Sequence, residues 1–171
     1  SDIYYYPHYA FIDGVLKDSV TANASGNWSY TSAALAQGSH TVRATATDGS
    51  GNTSPSSPTN TFTVDTGVPA KPVITVPSNG QTFTTSTPTW TGTSEANVKI
   101  RLYVSGVLFD STYANASGNW SYLCKGLANG SYTLRARAVD AAGNVSSQSN
   151  SKDFTISDST APSAPVVQTP T

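Results

Sequence analysis

The sequence predicts an all-β chain built from antiparallel β-sandwich units in tandem. Three observations predict it: an internal repeat, short runs in which apolar and polar residues alternate, and clusters of turn-forming residues between those runs. Only 11% of the 171 residues are charged, and methionine is absent. This composition differs from the charged, leucine-rich pattern of helical bundles and coiled coils, so those classes are excluded.

Charge and hydropathy exclude further classes of protein. A formal net charge of -1 offers no basic surface for a phosphate backbone or an anionic membrane, so nucleic acid is not an expected partner. No run approaches the roughly 18 apolar residues of a membrane span, and no export signal is recognisable. Because the first residue is Ser1, we expect a mature product or a fragment. The single cysteine excludes an internal disulfide framework, and no cofactor is expected.

The internal repeat defines the domain organisation. Residues 23–30 reappear without change as residues 115–122, an offset of 92 positions. Residues 68–73 match residues 161–166 with a slip of one position, so a third unit begins near the end of the sequence. The predicted divisions are an incomplete unit at 1–66, a complete unit at 67–158, and a linker with the first strand of a following unit at 159–171.

The strands of the complete unit follow from an apolar period of two. Residues 98–104 and 132–138 alternate in this way, which is typical of strands with one face in water. Shorter candidates lie between clusters of Gly, Asn, Ser and Pro, at Val73–Val76, Thr89–Thr93, 107–112, 119–124 and 153–157. About seven short strands without a cysteine pair fit an antiparallel sandwich of the immunoglobulin type.

Aromatic residues are expected to fill the core where other sandwiches carry a disulfide. Cys124 has the same strand phase as Trp120 and Tyr122, and it takes the place of Ser32 of the first unit. We therefore expect a buried, unreactive thiol. An intermolecular disulfide is the alternative. The predicted core residues are Trp28, Tyr30, Trp120, Tyr122 and Tyr132.

The first unit is predicted to lack its first two strands. No residues precede Ser1 that would match Val73–Val76 and Thr89–Thr93. Such a unit would expose an open edge and half a core unless upstream sequence or a neighbouring chain covers it. By the offset, the inward residues of its first strand would be Tyr6, His8, Ala10 and Ile12.

The repeated motifs resemble a known family. The run Ala-Ser-Gly-Asn-Trp-Ser-Tyr at 24–30 and the Asp-x-x-Gly-Asn turns at 48–52 and 140–144 are similar to those of bacterial immunoglobulin-like repeats. The joint at 64–72 resembles the linker between such repeats. These repeats make up long surface adhesins and other cell-surface proteins of bacteria.

The resemblance implies a structural segment of an extracellular protein on the bacterial cell surface, with no enzymatic activity. Its expected partners are neighbouring immunoglobulin-like units, and a host or matrix surface reached through another domain. The short proline-containing joints would string the units into an extended stalk. One alternative is a subunit of an extracellular filament that assembles by strand exchange. Another is a carbohydrate-binding module.

Calcium is the one metal that the motifs suggest. Carboxylate and amide oxygens on one tight loop suit this ion, and the resemblance implies calcium near the domain joints of some adhesins. However, Glu95 is the only glutamate. The alternative is that the two turn aspartates accept hydrogen bonds from backbone N–H groups. The candidate ligands are Asp48, Asn52, Asp65, Asp140, Asn144 and Asp158.

Neither histidine predicts catalysis. His40 occupies the position of Tyr132, at the start of a long strand, so we expect it to replace that tyrosine structurally. His8 has no carboxylate or cysteine partner at metal-binding spacing. Nothing in the sequence marks a Ser, His and Asp set, so no enzyme is expected.

An aromatic cluster opens the sequence. Its side chains would stack on sugar rings or anchor a partner protein, with Tyr9 and Phe11 pointing outward by register. The alternative is that they reflect strand propensity and cover the missing strands. The cluster consists of Tyr4, Tyr5, Tyr6, Tyr9 and Phe11.

Overall fold

The computed structural model describes residues 6–159 and confirms the all-β prediction. By its contacts the chain divides into two compact units, residues 1–66 and 67–171. In the described part of the chain, no helix is long and apolar enough to cross a membrane. The expected strand beyond residue 159 lies outside the described residues. The strands are β1 Pro7–Ile12, β2 Val15–Thr21, β3 Gly38–Ala46, β4 Asn60–Val64, β5 Val73–Val76, β6 Gln81–Phe83, β7 Thr89–Thr93, β8 Lys99–Val104, β9 Val107–Tyr113, β10 Asn119–Leu123, β11 Gly130–Val139 and β12 Lys152–Ile156.

The second unit is a two-layer sandwich. One sheet has the order β10-β7-β5 and the other has the order β6-β12-β11-β8-β9. All pairs are antiparallel except β6 with β12. Side chains from both sheets form one buried core, so the alternation read from the sequence gives the correct inward faces. Its largest members are Trp90, Trp120, Ile100, Leu102, Leu134, Phe154 and Ile156.

Strand β6 was not predicted. It has only three residues, too few for an alternating pattern to show, and it pairs in parallel with the last strand of the unit. The Ser157 N–H donates to the Phe83 carbonyl at 2.8 Å, and the Phe83 ring lies edge-on to Phe154 with centroids 6.0 Å apart. The segment ahead of β8 therefore contributes three strands to the sandwich, where the sequence indicated two.

The first unit is a single four-stranded sheet with the order β2-β1-β3-β4. That order reproduces β9-β8-β11-β12 of the second unit, and both sheets carry a register shift at the same position, after Ala10 and after Leu102. Within residues 6–159, the first unit has no counterpart of β5, β6 or β7. Residues 27–31, the counterpart of β10, form no strand. The described part of the first unit therefore shows no counterpart of the three strands that precede β8 in the second unit.

Two buried serines, which precede β12 in the sequence, continue the hydrogen bonding of β11 beyond its pairing with β12. The Ala138 N–H donates to Ser146 Oγ at 2.8 Å, and the Ala136 N–H donates to Ser149 Oγ at 2.9 Å. The serine N–H groups donate back to the carbonyls of the same two alanines. These bonds satisfy the backbone of β11 beyond its partner strand, which a buried polar group requires. The counterparts in the first unit are Ser54 with Ala46 and Ser57 with Ala44.

Candidate functional site

The two aspartate turns have the same geometry. Asp48 Oδ1 accepts hydrogen bonds from the N–H groups of Ser50 at 2.9 Å and Asn52 at 2.8 Å, and Asp48 Oδ2 accepts one from Asn52 Nδ2 at 2.9 Å. In the second unit, Asp140 makes the matching bonds to Asn144, at 2.8 Å from the backbone and 2.9 Å from the side chain. Both carboxylate oxygens of each aspartate are therefore engaged by their own turn.

The pKa values of these carboxyls agree with that arrangement. The Asn52 side-chain amide is the largest cause of the lowered pKa of Asp48, and the Asn144 amide has the same effect on the pKa of Asp140. A carboxylate that accepts several hydrogen bonds favours its charged form. The turn-capping alternative accounts for both residues without a metal.

The structure does not gather the predicted calcium ligands into one group. Asp158 Oδ2 accepts a bond from the Ser86 N–H at 3.1 Å, and Asp65 directly follows β4. Among residues 6–159, no group of three or more His, Cys, Asp or Glu side chains could hold a metal ion. A calcium site would therefore need ligands beyond these side chains, or a rearrangement of the turns.

The eight-residue motif forms the same kind of turn. Asn23 Oδ1 accepts bonds from the N–H groups of Ser25 and Asn27, both at 3.0 Å. Asn115 does the same with Ser117 at 3.0 Å and Asn119 at 2.9 Å. The motif and the aspartate turns thus share the pattern Asn/Asp-x-x-Gly-Asn. In each of the four turns, an oxygen of the first side chain accepts hydrogen bonds from the backbone N–H groups two and four residues later. The hydrogen bonds that recur between the two units are therefore those that form the turns.

We expect calcium removal to have little effect on stability. The turn carboxylates already accept hydrogen bonds from amide and N–H groups of the protein, so these bonds hold the turns without a metal. Addition of EDTA to the full chain should leave the melting temperature unchanged within error, in a scan followed by circular dichroism. A large decrease that calcium reverses, and that Asp140→Ala abolishes, would show that a metal holds the turn.

His40 replaces a tyrosine at the sandwich corner, as predicted. The Tyr132 hydroxyl donates to the Ala128 carbonyl at 3.0 Å, and His40 Nε2 lies 2.8 Å from the equivalent Ala36 carbonyl. The other ring nitrogen, Nδ1, lies 2.7 Å from Asp13 Oδ2. Both neighbours are acceptors, so only the doubly protonated imidazolium donates to both. The ring nitrogens are occupied by structural partners, which leaves neither of them facing a nucleophile.

The pair changes the pKa values of both groups. The hydrogen bond with Asp13 is the largest cause of the raised pKa of His40, followed by the Ala36 carbonyl. The hydrogen bond with His40 is the largest cause of the lowered pKa of Asp13. A raised histidine pKa in the folded state contributes stability that is fully present below the unfolded value and is lost as pH rises through the folded value.

We therefore expect the first unit to lose stability as pH rises from about 6.5, the ordinary pKa of histidine. His40→Tyr should remove this pH dependence, because a tyrosine makes the carbonyl bond, as Tyr132 does, without titrating in this range. Hydrogen exchange of β3 amides, measured between pH 6 and 9 and corrected for intrinsic rates, checks this. Equal pH dependence in the parent chain and the variant would contradict it.

The aromatic cluster is described in part. Tyr4 and Tyr5 lie outside the described residues, and Tyr6 lies just before β1. On β1, Ala10 and Ile12 are buried, which places Tyr9 and Phe11 on the outer face, as the register predicts. The Arg43 guanidinium lies over the Phe11 ring, 4.4 Å from its centroid. This is a cation–π contact between the neighbouring strands β1 and β3, so the Phe11 ring is partly covered by a side chain of its own sheet.

The two tryptophans among the predicted core residues differ in burial. Trp120 is buried with 3% of its surface exposed, whereas its counterpart Trp28 has 38% exposed. Tyr30, Tyr122 and Tyr132 are each half-buried. The tryptophan of the motif therefore lies in different environments in the two units, whereas the tyrosine does not, and the prediction of Trp28 as a core residue is wrong. Trp28 stacks on His8, with ring centroids 5.3 Å apart.

A polar cluster lies at the rim of the second core. Asp110 Oδ2 accepts a hydrogen bond from the Tyr122 hydroxyl at 2.8 Å and pairs with Lys125 Nζ at 2.5 Å. The Lys125 ammonium is the first cause that lowers the pKa of Asp110 to about 2, while burial raises the pKa of Tyr122. Cys124 is buried with a pKa raised by burial, as expected of an unreactive thiol.

The sequence prediction missed Trp90 at the centre of the core. It is fully buried, with ring centroids 5.6 Å from Phe109 and Tyr122 and 5.8 Å from Phe154. The next inward residue is Gly92, where a Cβ would lie 2.1 Å from the Val73 carbonyl oxygen and 2.3 Å from the Trp120 ring. The alternation in β7 was a signal for Trp90, but the repeat offers no second copy of this strand for comparison.

Comparison with known proteins assigns the family. The model of the bacterial Ig-like domain matches residues 10–66 and 76–158, which together are most of the chain. The chain therefore belongs to the bacterial Ig-like domain family, and both units are members of it. No curated protein matches the sequence significantly.

Among similar solved structures, one supports the fold and two are similar over a smaller share of their own length. The fibronectin(III)-like modules of CbhA from Clostridium thermocellum align with a TM-score of 0.61 at 15% identity, over 98% of this chain and 86% of that one. A tetra-tandem repeat from the extending region of a large adhesion protein aligns at 0.40 and 23% identity, over 88% of this chain and 42% of that one. The BSP domain of a biofilm associated protein aligns at 0.40 and 19%, over 91% and 26%.

Proposed function

We propose that the chain is a structural repeat segment of an extracellular protein on the bacterial cell surface, in which tandem units hold other domains away from the cell. This proposal rests on the kind of residues that recur in the two units. The recurring residues cap turns and pack between strands, as Asn23 with Asn115 and Asp48 with Asp140 illustrate. Selection for a repeated sandwich explains these identities without a catalytic or ligand-binding role.

The linker supports a spacer role. In the first unit, the Thr66 hydroxyl lies 3.3 Å from Gln37 Oε1. In the second unit, the Ala70 N–H donates to Glu95 Oε1 at 2.7 Å, and Lys71 Nζ lies 3.3 Å from Asn150 Oδ1. Three residues, 67–69, separate Thr66 and Ala70 in the sequence. A short linker that contains a proline is semi-rigid, which suits a segment that holds other domains at a distance.

Surface labelling tests the location. An antibody raised against residues 67–158 should label intact cells of the source bacterium, and permeabilisation should add little signal. A cytoplasmic protein probed in parallel is the control for cell integrity. Labelling that requires permeabilisation would overturn the extracellular assignment.

Deletion of one repeat tests the spacer role. Removal of residues 67–158 from the parent protein takes out one complete 92-residue period and joins equivalent positions. Surface display should persist, while an epitope beyond the deletion should lie closer to the cell in immunogold images. An unchanged distance would contradict a spacer, and loss of display would show that this unit is needed for export or anchoring.

A filament subunit that exchanges strands is the second candidate. The specific observation in its favour is the exposed inner face of the first unit, where Phe62 is 36% exposed against 2% for Phe154. Strand addition from a second chain is a known way to complete such a sheet. Sedimentation of the full chain over a range of micromolar concentrations should then show polymers. A monomer throughout the range would remove this candidate.

A further inference from the structure

The outer face of the five-stranded sheet in the second unit carries a cluster of basic side chains. Their neighbours along β8 and β11 are buried in the core, so the strand alternation turns these charges to the outer side. They are four of the nine basic residues of the chain, so the net charge of -1 conceals a local concentration of positive charge. We call this cluster the basic face, and it consists of Lys99, Arg101, Arg135 and Arg137.

Two members of the basic face lie directly opposite each other. Arg101 and Arg137 are partners in the ladder between β8 and β11. Like charges at directly opposed positions destabilise a sheet. No member of the face forms a salt bridge with a carboxylate of residues 6–159, and Arg135 Nη1 donates to the neutral Gln148 Oε1 at 3.4 Å. The repulsion is therefore not compensated by an acidic side chain in the described part of the chain.

The first unit shows that the fold does not require these charges. At the offset of 92, the directly opposed pair is Tyr9 with Thr45 instead of two arginines. Of the four basic positions, one keeps a basic residue, Arg43, and its guanidinium lies over the Phe11 ring. The basic face is therefore a property of the second unit and not of the repeated framework.

Aromatic and hydroxyl groups surround the charges. On the same outer face, Tyr103 lies opposite Arg135 in β11 and Leu108 in β9. Arg101 has Ser111 as its partner in β9, and both line a shallow depression of about 570 Å³ in the surface. A tyrosine ring packs against the apolar face of a sugar ring, and a serine hydroxyl forms hydrogen bonds with sugar hydroxyls. The face thus combines charge with groups that suit a carbohydrate.

One carboxylate lines the same depression but is already engaged. Asp110 pairs with Lys125 Nζ, and it accepts a hydrogen bond from the Tyr122 hydroxyl at 2.8 Å. The charge of Asp110 is therefore balanced by Lys125, which leaves the basic face without a neutralising partner from this strand.

We propose that the basic face binds an acidic polysaccharide, with sugar carboxylates paired to Arg101 and Arg137 and a sugar ring packed on Tyr103. A planar guanidinium binds a carboxylate through two parallel hydrogen bonds, which lysine cannot form. An anion bound at the two arginines also relieves their mutual repulsion. The choice of a polysaccharide rests on the proposed extracellular location, where such polymers form coats and matrices.

Nucleic acid fits the molecule less well. A duplex carries one negative charge per roughly 1.7 Å of its axis, and its binding depends on many phosphate contacts. With a net charge of -1, the chain lacks the positive field that attracts such a polymer from a distance. A polysaccharide with one carboxylate per sugar is less densely charged, so four cations on one face are sufficient for a short stretch of it.

Titration of oligogalacturonate into the purified full chain tests the proposal, and the measurement does not depend on where the protein is located. Calorimetry should detect binding that weakens as salt is added, because salt screens exposed charges. Arg101→Gln with Arg137→Gln should raise the Kd at least about tenfold, since the charge-assisted hydrogen bonds to carboxylates are lost. This variant should keep its melting temperature, because it removes two opposed like charges, so lost binding is not mistaken for unfolding.

The matched control is Lys17→Gln with Arg43→Gln, which removes the same charge from the first unit and should leave the Kd unchanged. Equal effects of the two double variants would overturn the proposal. Polyglutamate and oligothymidylate of matched charge are the comparison probes. Equal affinity for polyglutamate, or tighter binding of oligothymidylate, would assign the face to anions in general or to nucleic acid and reject the polysaccharide. Absence of binding in a protein that still labels at the cell surface would remove this inference alone.

Discussion

Trp90→Ala should destabilise the second unit by about 3–5 kcal/mol, the range for removal of a large aromatic side chain from a core. Trp90 is fully buried and meets three other rings, so no neighbouring side chain can fill the space without leaving its own site. Urea unfolding of the full chain, monitored by hydrogen exchange of the β11 amides, measures the free energy of unfolding of this unit separately. β11 is suitable because Leu134, Ala136 and Ala138 lie at the centre of the core.

Trp90→Phe is the control for the loss of volume. It keeps a ring in the site, so it should cost clearly less than the alanine variant. It also removes the indole N–H, which is buried without a hydrogen-bond partner. Loss of that group should offset part of the lost packing. A cost below about 1 kcal/mol for Trp90→Ala would show that the segment carrying β7 is not a required part of the sandwich.

Trp120→Ala and Trp28→Ala should differ widely in effect although the two residues belong to identical motifs. Trp120 is 3% exposed and its Nε1 donates to the Thr93 carbonyl at 3.3 Å, so its removal should cost about 3–5 kcal/mol in the second unit. Trp28 is 38% exposed and stacks on His8, so its removal should cost the first unit about 1 kcal/mol.

Each variant serves as the control for the other, since the exchange of each unit is measured in the same chain. The Trp120 variant should leave β3 amides unchanged, and the Trp28 variant should leave β11 amides unchanged. Equal large costs would mean that Trp28 is buried in solution and that the inner face of the first unit is already covered. Equal small costs would remove Trp120 from the core.

Local patterns were sufficient for several features. The Asn/Asp-x-x-Gly-Asn turns were predictable because each depends on a side-chain oxygen and backbone N–H groups within four residues of it. The role of His40 was predictable from its alignment with Tyr132, whose bond to a carbonyl four residues earlier is equally local. The second partner of His40 was not, because Asp13 lies 27 residues away in sequence.

The sequence by itself determined the repeat, the strand alternation, the turns and the family, since each is written in residues that lie close together or recur at one offset. Only the tertiary structure decided which identical residues are buried. Trp28 and Trp120 have the same eight-residue context, yet burial depends on the opposite sheet, and that sheet comes from residues 73–93 for one of them. Burial is a property of two layers in contact, so a motif within one layer cannot specify it.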